Sequence, residues 1–206
     1  MKNRLLLLIL VCFYCTIALV NAQTVTFDEN QNYLERHPIY DYTEAQLNSV
    51  DSVPDFESKT NKIKLTGVIY ESDGLTPAKD VILFIEQSDE HGNFDLRVEN
   101  DKRYVHHRAW VKTDEEGRYT IYTFIPGNDR THNQFKQLFP VIKEPSDDAY
   151  EIETFLFDDD PLISKYCRKR LAKKGDITRI LKPKNVDGML VAERNIILPI
   201  NHKDTK

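Results

Sequence analysis

His106 and His107 stand side by side, and His132 follows Asp129 by three residues. Imidazole nitrogens and a carboxylate together make the two-histidine, one-carboxylate set that holds non-haem metal ions. Asp129, His132 and one of His106 or His107 are therefore candidate ligands. On a strand, adjacent side chains point to opposite faces, so only one of that histidine pair is expected to enter a shared site. The run Asp158-Asp159-Asp160 offers three carboxylates, but a calcium loop spaces its ligands at alternate positions. Asp160-Pro161 reads instead as the start of a helix. His37, His91 and His202 lie in polar or terminal stretches and read as surface or satisfied core groups rather than ligands.

The elements that must position these groups are short. From Lys62 onward, β-branched and aromatic runs alternate with turn signals, the pattern of an antiparallel sandwich. KIKLTGVIY sets apolar residues at Ile63, Leu65, Val68 and Tyr70, with a break near Gly67. Asp73-Gly74 supplies a tight turn, and Asp114-Glu-Glu-Gly117 a hairpin connection in which Gly117 takes positive φ. Residues 81–85 form an unbroken apolar run, expected to be a strand buried on both faces. Further strands are expected over 108–112, 118–125, 138–143, 150–157 and 189–199. One peripheral helix is expected from Pro161 to Lys174, with Gly175 as its C-terminal cap and Arg168, Lys169, Arg170, Lys173 and Lys174 facing the negative end of its dipole.

Residues 1–22 carry a basic start at Lys2 and Arg4, an apolar stretch from Leu5 to Val20, and Val20-Asn21-Ala22 before Gln23. This is the layout of a cleaved signal peptide. The apolar run is short for a membrane span, which needs about 20 residues, so a secreted or periplasmic location with no integral membrane segment is expected. Cleavage removes Cys12 and Cys15 and leaves Cys167 alone, which excludes an intramolecular disulfide and a zinc site built on cysteine pairs. Residues 23–60 are polar, hold Pro38 and Pro54, and read as an extended N-terminal arm that wraps the domain or is partly disordered. Residues 61–206 form the single domain. A formal net charge of −5, mixed in sign, gives no field that would attract nucleic acid.

The order of these segments resembles the catalytic core of the intradiol ring-cleavage dioxygenases. Thr113-Asp114, Gly117-Arg118-Tyr119, Tyr122-Thr123 and Pro126 are similar to that family's TD..G.Y....I.P segment. Gly67-Val68-Ile69-Tyr70, Pro77-Ala78-Lys79-Asp80, VIKEP, FLFDDDPL and VAERNIIL extend the likeness from about Lys62 to Ile200. The resemblance implies an all-β sandwich of intradiol dioxygenase type, ferric iron held by two tyrosinates and two imidazoles, molecular oxygen, and a catechol-like aromatic substrate. Its four ligand positions match Phe94, Asp129, Gln137 and Phe139, of which only Asp129 is a plausible donor. Arg108 and Trp110 match the family's LRGW-like segment, whose arginine stabilises developing charge. No cofactor is therefore expected. A degenerate enzyme that keeps its pocket for a catechol-like or other small ligand is the leading expectation. Phe94 and Phe139 would then fill the space of the metal, gaining about 1.5–3 kcal/mol each if fully buried. One rival is an active Fe(III) oxygenase using Asp129, His132 and His106 or His107. Another is a transthyretin-like or carbohydrate- or protein-binding sandwich, to which the strand–DG–strand and TDEEGRYTI segments are also similar.

Overall fold

KIKLTGVIY forms one unbroken strand whose buried positions are Ile63, Leu65, Gly67 and Ile69. The alternation runs straight through Gly67 and places Ile69 inward, where the sequence suggested a break with Val68 and Tyr70 inward. The reason is steric. A Cβ on Gly67 would stand 1.9 Å from the Arg194 carbonyl oxygen, so only glycine lets the neighbouring strand pass there.

The computed structural model describes residues 26–200; the signal-peptide segment 1–22 and His202 lie outside the described residues. The strands are β1 (Thr26–Phe27), β2 (Val50–Ser52), β3 (Lys62–Tyr70), β4 (Ile82–Gln87), β5 (Leu96–Glu99), β6 (Lys102–Val105), β7 (Arg108–Lys112), β8 (Arg118–Phe124), β9 (Gln137–Lys143), β10 (Ala149–Glu151), β11 (Phe155–Phe157), β12 (Ile180–Leu181), β13 (Lys184–Val186), β14 (Met189–Glu193) and β15 (Ile196–Ile197). One sheet is built around β7-β4-β9, with β10, β1, β11 and β12 attached; the other is built around β14-β3-β8, flanked by β13, β2 and β15. β5 and β6 form a separate ribbon. The architecture is an all-β sandwich with one short helix. Its long pairings are antiparallel, while β2–β8, β14–β3, β15–β3 and β11–β12 are parallel.

Two of the expected strands are divided. The run 150–157 separates into β10 and β11, both antiparallel to β9. The run 189–199 breaks at Arg194-Asn195, where Arg194 donates its N–H to Thr66 O and Asn195 Oδ1 accepts from Val68 N–H. The helix, α1 (Lys165–Lys174), starts later than Pro161. Ser164 caps it, its hydroxyl accepting from Cys167 N–H at 3.1 Å. Asp160 instead ties loops together, accepting from Asn128 Nδ2, Leu162 N–H and Lys136 N–H. Among the described residues, no helix is long and apolar enough to cross a membrane.

The TD..G.Y segment turns out to be a structural corner. The Thr113 hydroxyl accepts from Val81 N–H and donates to Ala78 O. Asp114 accepts from the backbone of Glu116 and Arg118. Gly117 has φ +67°, as its place in the turn requires, and the buried Tyr119 hydroxyl donates to Arg194 O at 2.6 Å. The Thr113 and Tyr119 hydroxyls close backbone groups that burial would otherwise leave unpaired.

Between the sheets lies a core that includes Ile63, Leu65, Leu83, Ile85, Val111, Ile121, Phe124 and Phe155. β4 is buried on both faces because the arm covers its outer side. Ile39 and Tyr40 pack on Ile82, Phe84, Val141 and Ala149. The Tyr40 hydroxyl bridges Phe27 O and Ala149 N–H, and Trp110 Nε1–H donates to Ile39 O at 3.1 Å. From β1 onward the arm is therefore an ordered layer of the domain.

Candidate functional site

Sheet register brings several of the predicted residues to one face. Glu86 is paired with Arg108 on one side and with Phe139 on the other. Cross-strand partners project to the same side, so Arg108, Glu86 and Phe139 share the outer, arm-covered face. Gln137 and Trp110 join them by the two-residue period of their strands. The Phe94 ring lies against Phe139 with centroids 5.7 Å apart. Both are half-buried, so each gains less than the full-burial figure expected from sequence. The loop carrying Asp129 is docked beside Phe94 by Gln134, whose Nε2 donates to Gly92 O at 2.9 Å.

Ferric iron does not fit this donor set. Phe94 and Phe139 offer hydrocarbon, and Gln137 a neutral amide. Asp129 is engaged by its own loop, accepting from Thr131 N–H at 2.8 Å and from the exposed His132 ring at 2.6 Å. The His132 hydrogen bond, with the Thr131 N–H, holds the Asp129 carboxyl below the usual carboxylate range. A hard trivalent ion needs several anionic oxygens, and one committed carboxylate does not supply them.

Arg108 is the half-buried basic residue of this face. Its guanidinium lies 3.9 Å from the Tyr104 ring centroid and 5.0 Å from that of Trp110, and its Nη1 has no hydrogen-bond partner. Burial lowers its pKa from the ordinary arginine value. Burial likewise raises Glu86, against the pull of Arg108. A groove of about 480 Å³ opens beside Arg108 and Trp110, bordered by Tyr42, Asp51, Ser52 and Pro54. Asp51 is occupied there, its Oδ2 accepting from Trp110 N–H at 2.8 Å.

The histidines gather elsewhere, and with a different carboxylate. Among the described residues, Asp55, His106 and His107 form a cluster with one ligand atom from each lying within 4.8 Å of the others. Asp129 and His132 pair with each other and are not part of it. His106 and His107 are also not on a strand. They occupy the bend where the chain leaves β6 in the small ribbon and enters β7 in the large sheet. Strand alternation does not hold through that bend, so both rings reach the same cluster, with centroids 5.2 Å apart. Asp55 lies in the arm, and nothing near it in sequence points to the histidines.

No protein-family model matches the sequence, and no curated protein does. Solved structures do share its fold. The dioxygenase domain of a dioxygenase carbohydrate-binding protein fusion from Streptomyces sp. SirexAA-E superposes with TM-score 0.57 at 14% identity, covering 78% of this chain and 97% of that one. An intradiol ring-cleavage dioxygenase from Tetranychus urticae gives 0.54 at 16% identity, over 78% of this chain and 90% of its own. Catechol 1,2-dioxygenase from Acinetobacter sp. ADP1 gives 0.53 at 13% identity, over 73% of this chain and 57% of that longer protein. The chain has the intradiol dioxygenase fold.

Proposed function

We propose that this protein is a degenerate relative of the intradiol dioxygenases, exported through its N-terminal signal segment, that uses the arm-covered face to bind a flat, anionic, catechol-like aromatic ligand. The observation that carries the reading is the identity of the four residues at the matching ligand positions, Phe94, Asp129, Gln137 and Phe139, with the two rings in contact. Arg108 supplies the recognition chemistry. Its guanidinium lies against the Tyr104 and Trp110 rings, and its buried Nη1 has no hydrogen-bond partner, a donor that a carboxylate or phenolate oxygen entering the groove would satisfy while an aromatic ring lies on the indole.

The test uses mature protein expressed with supplementary iron. Elemental analysis is expected to find no stoichiometric iron, and catechol is expected to cause no oxygen uptake. Trp110, the only tryptophan, reports binding directly. An aromatic carboxylate such as benzoate is expected to quench its fluorescence in the native chain and not in Arg108→Ala. Near-stoichiometric iron with catechol-dependent oxygen uptake overturns the loss of catalysis, and quenching that persists in Arg108→Ala overturns the binding role. The start of the exported chain, read by N-terminal sequencing, is expected at Gln23.

A further inference from the structure

We propose that Asp55, His106 and His107 form a binding site for a divalent transition-metal cation of the zinc class, separate from the positions that match the family's iron ligands. His107 is 3% exposed, yet its Nδ1 has no hydrogen-bond partner. An orphaned ring nitrogen at that depth costs free energy unless something binds it. One ring nitrogen of His107 lies within 4.8 Å of ligand atoms of its cluster partners, a second imidazole and a carboxylate. Asp55 Oδ2 and His106 Nε2 already stand 2.8 Å apart. A cation held by these three groups takes one ring nitrogen of His107.

The site is built by backbone as well as by side chains. His106 N–H donates to Asp95 O, and His107 O accepts from Gln87 N–H, which anchors the bend to two neighbouring segments. The His107 ring stands edge-on to Phe124 at 4.9 Å. Asp55 is held in the left-handed region at φ 64°. Of the nearby cations, Lys59 pairs with Glu90 at 3.2 Å, while Arg97 pairs with Asp95 at 2.9 Å and, at the longer distance of 3.9 Å, with Asp55. Two imidazoles and one carboxylate suit zinc, cobalt or nickel, whereas calcium and magnesium prefer oxygen ligands throughout. The Asp55 side chain is 52% exposed, so ions enter from solvent and water completes the coordination. Such an ion pins the arm, through Asp55, to the β6–β7 bend. This inference does not depend on the aromatic-binding groove.

The experiment is zinc titration of untagged mature protein by calorimetry, repeated with cobalt to read its ligand-field absorption. About one ion per chain is expected, with affinity falling at least about tenfold in Asp55→Asn and in His107→Phe. His107→Phe keeps a ring against Phe124. Asp55→Asn alters a half-exposed side chain, so the pair keeps the test decisive if one variant folds poorly. His132→Ala is expected to bind normally. Absence of zinc and cobalt binding by the native chain overturns the proposal, and so does binding that survives both cluster variants but is lost in His132→Ala.

Discussion

At the scale of single residues, the segment most similar to the dioxygenases carries architecture. Thr113 satisfies Val81 N–H and Ala78 O from a buried position. Thr113→Val keeps the volume and removes both bonds, so a loss of about 1–3 kcal/mol is expected. Urea unfolding with an unchanged slope would check it; a midpoint equal to the native one would show that the corner does not need its hydroxyl. Residues of this kind explain why fold was legible where chemistry was not. Thr113, Asp114 and Tyr119 close backbone groups with their side chains and Gly117 supplies the turn's positive φ, roles that do not depend on the pocket. The candidate metal cluster had no such signature. Asp55 and His106 are separated by 51 positions, and the histidine pair looked mutually exclusive until the bend between β6 and β7 placed both rings together.

At the scale of elements, legibility followed pairing. β3, β7, β8 and β9 each have a long antiparallel partner and a half-buried or buried pattern, so their periods show in the sequence. β1, β2, β12 and β13 are two or three residues long, too short to carry a period, and only their neighbours define them. The arm is the main instance, because its order rests on a few anchors. Ile39 is fully buried, and the Tyr40 hydroxyl satisfies both Phe27 O and Ala149 N–H. Ile39→Ala is expected to cost about 2–5 kcal/mol through the cavity it leaves. Tyr40→Phe is expected to cost about 1–3 kcal/mol through the unpaired Ala149 N–H. If the arm were a loosely attached wrap, both variants would unfold at the native midpoint while only arm amides lost hydrogen-exchange protection.

At the scale of the whole molecule, the arm makes stability depend on pH through His37. Its ring stacks on Phe27 with centroids 4.0 Å apart and meets the edge of Phe84, while Nδ1 accepts Ile39 N–H at 3.1 Å. That acceptor role requires a neutral imidazole. Burial, then the charge of Lys102, pushes its pKa down to about 4 against the opposing pull of Asp41. The unfolded chain, with an ordinary histidine pKa, binds this proton first as pH falls, so native stability declines from about pH 6.5 toward about pH 4. Glu86 and Asp51 act with the opposite sign. Burial raises both carboxyls, so the native state takes up their protons first on acidification, and their destabilising effect fades as pH falls. The net slope therefore mixes the two signs, and a substitution is needed to separate them. His37→Asn keeps a side-chain oxygen able to accept Ile39 N–H but has nothing to titrate. The native chain is expected to lose stability relative to His37→Asn as pH is lowered through that window. Urea midpoints of both proteins at pH 7, 5.5 and 4.5 measure the difference. Parallel curves would mean that the arm lets His37 reach solvent and protonate without leaving its place on the sheet.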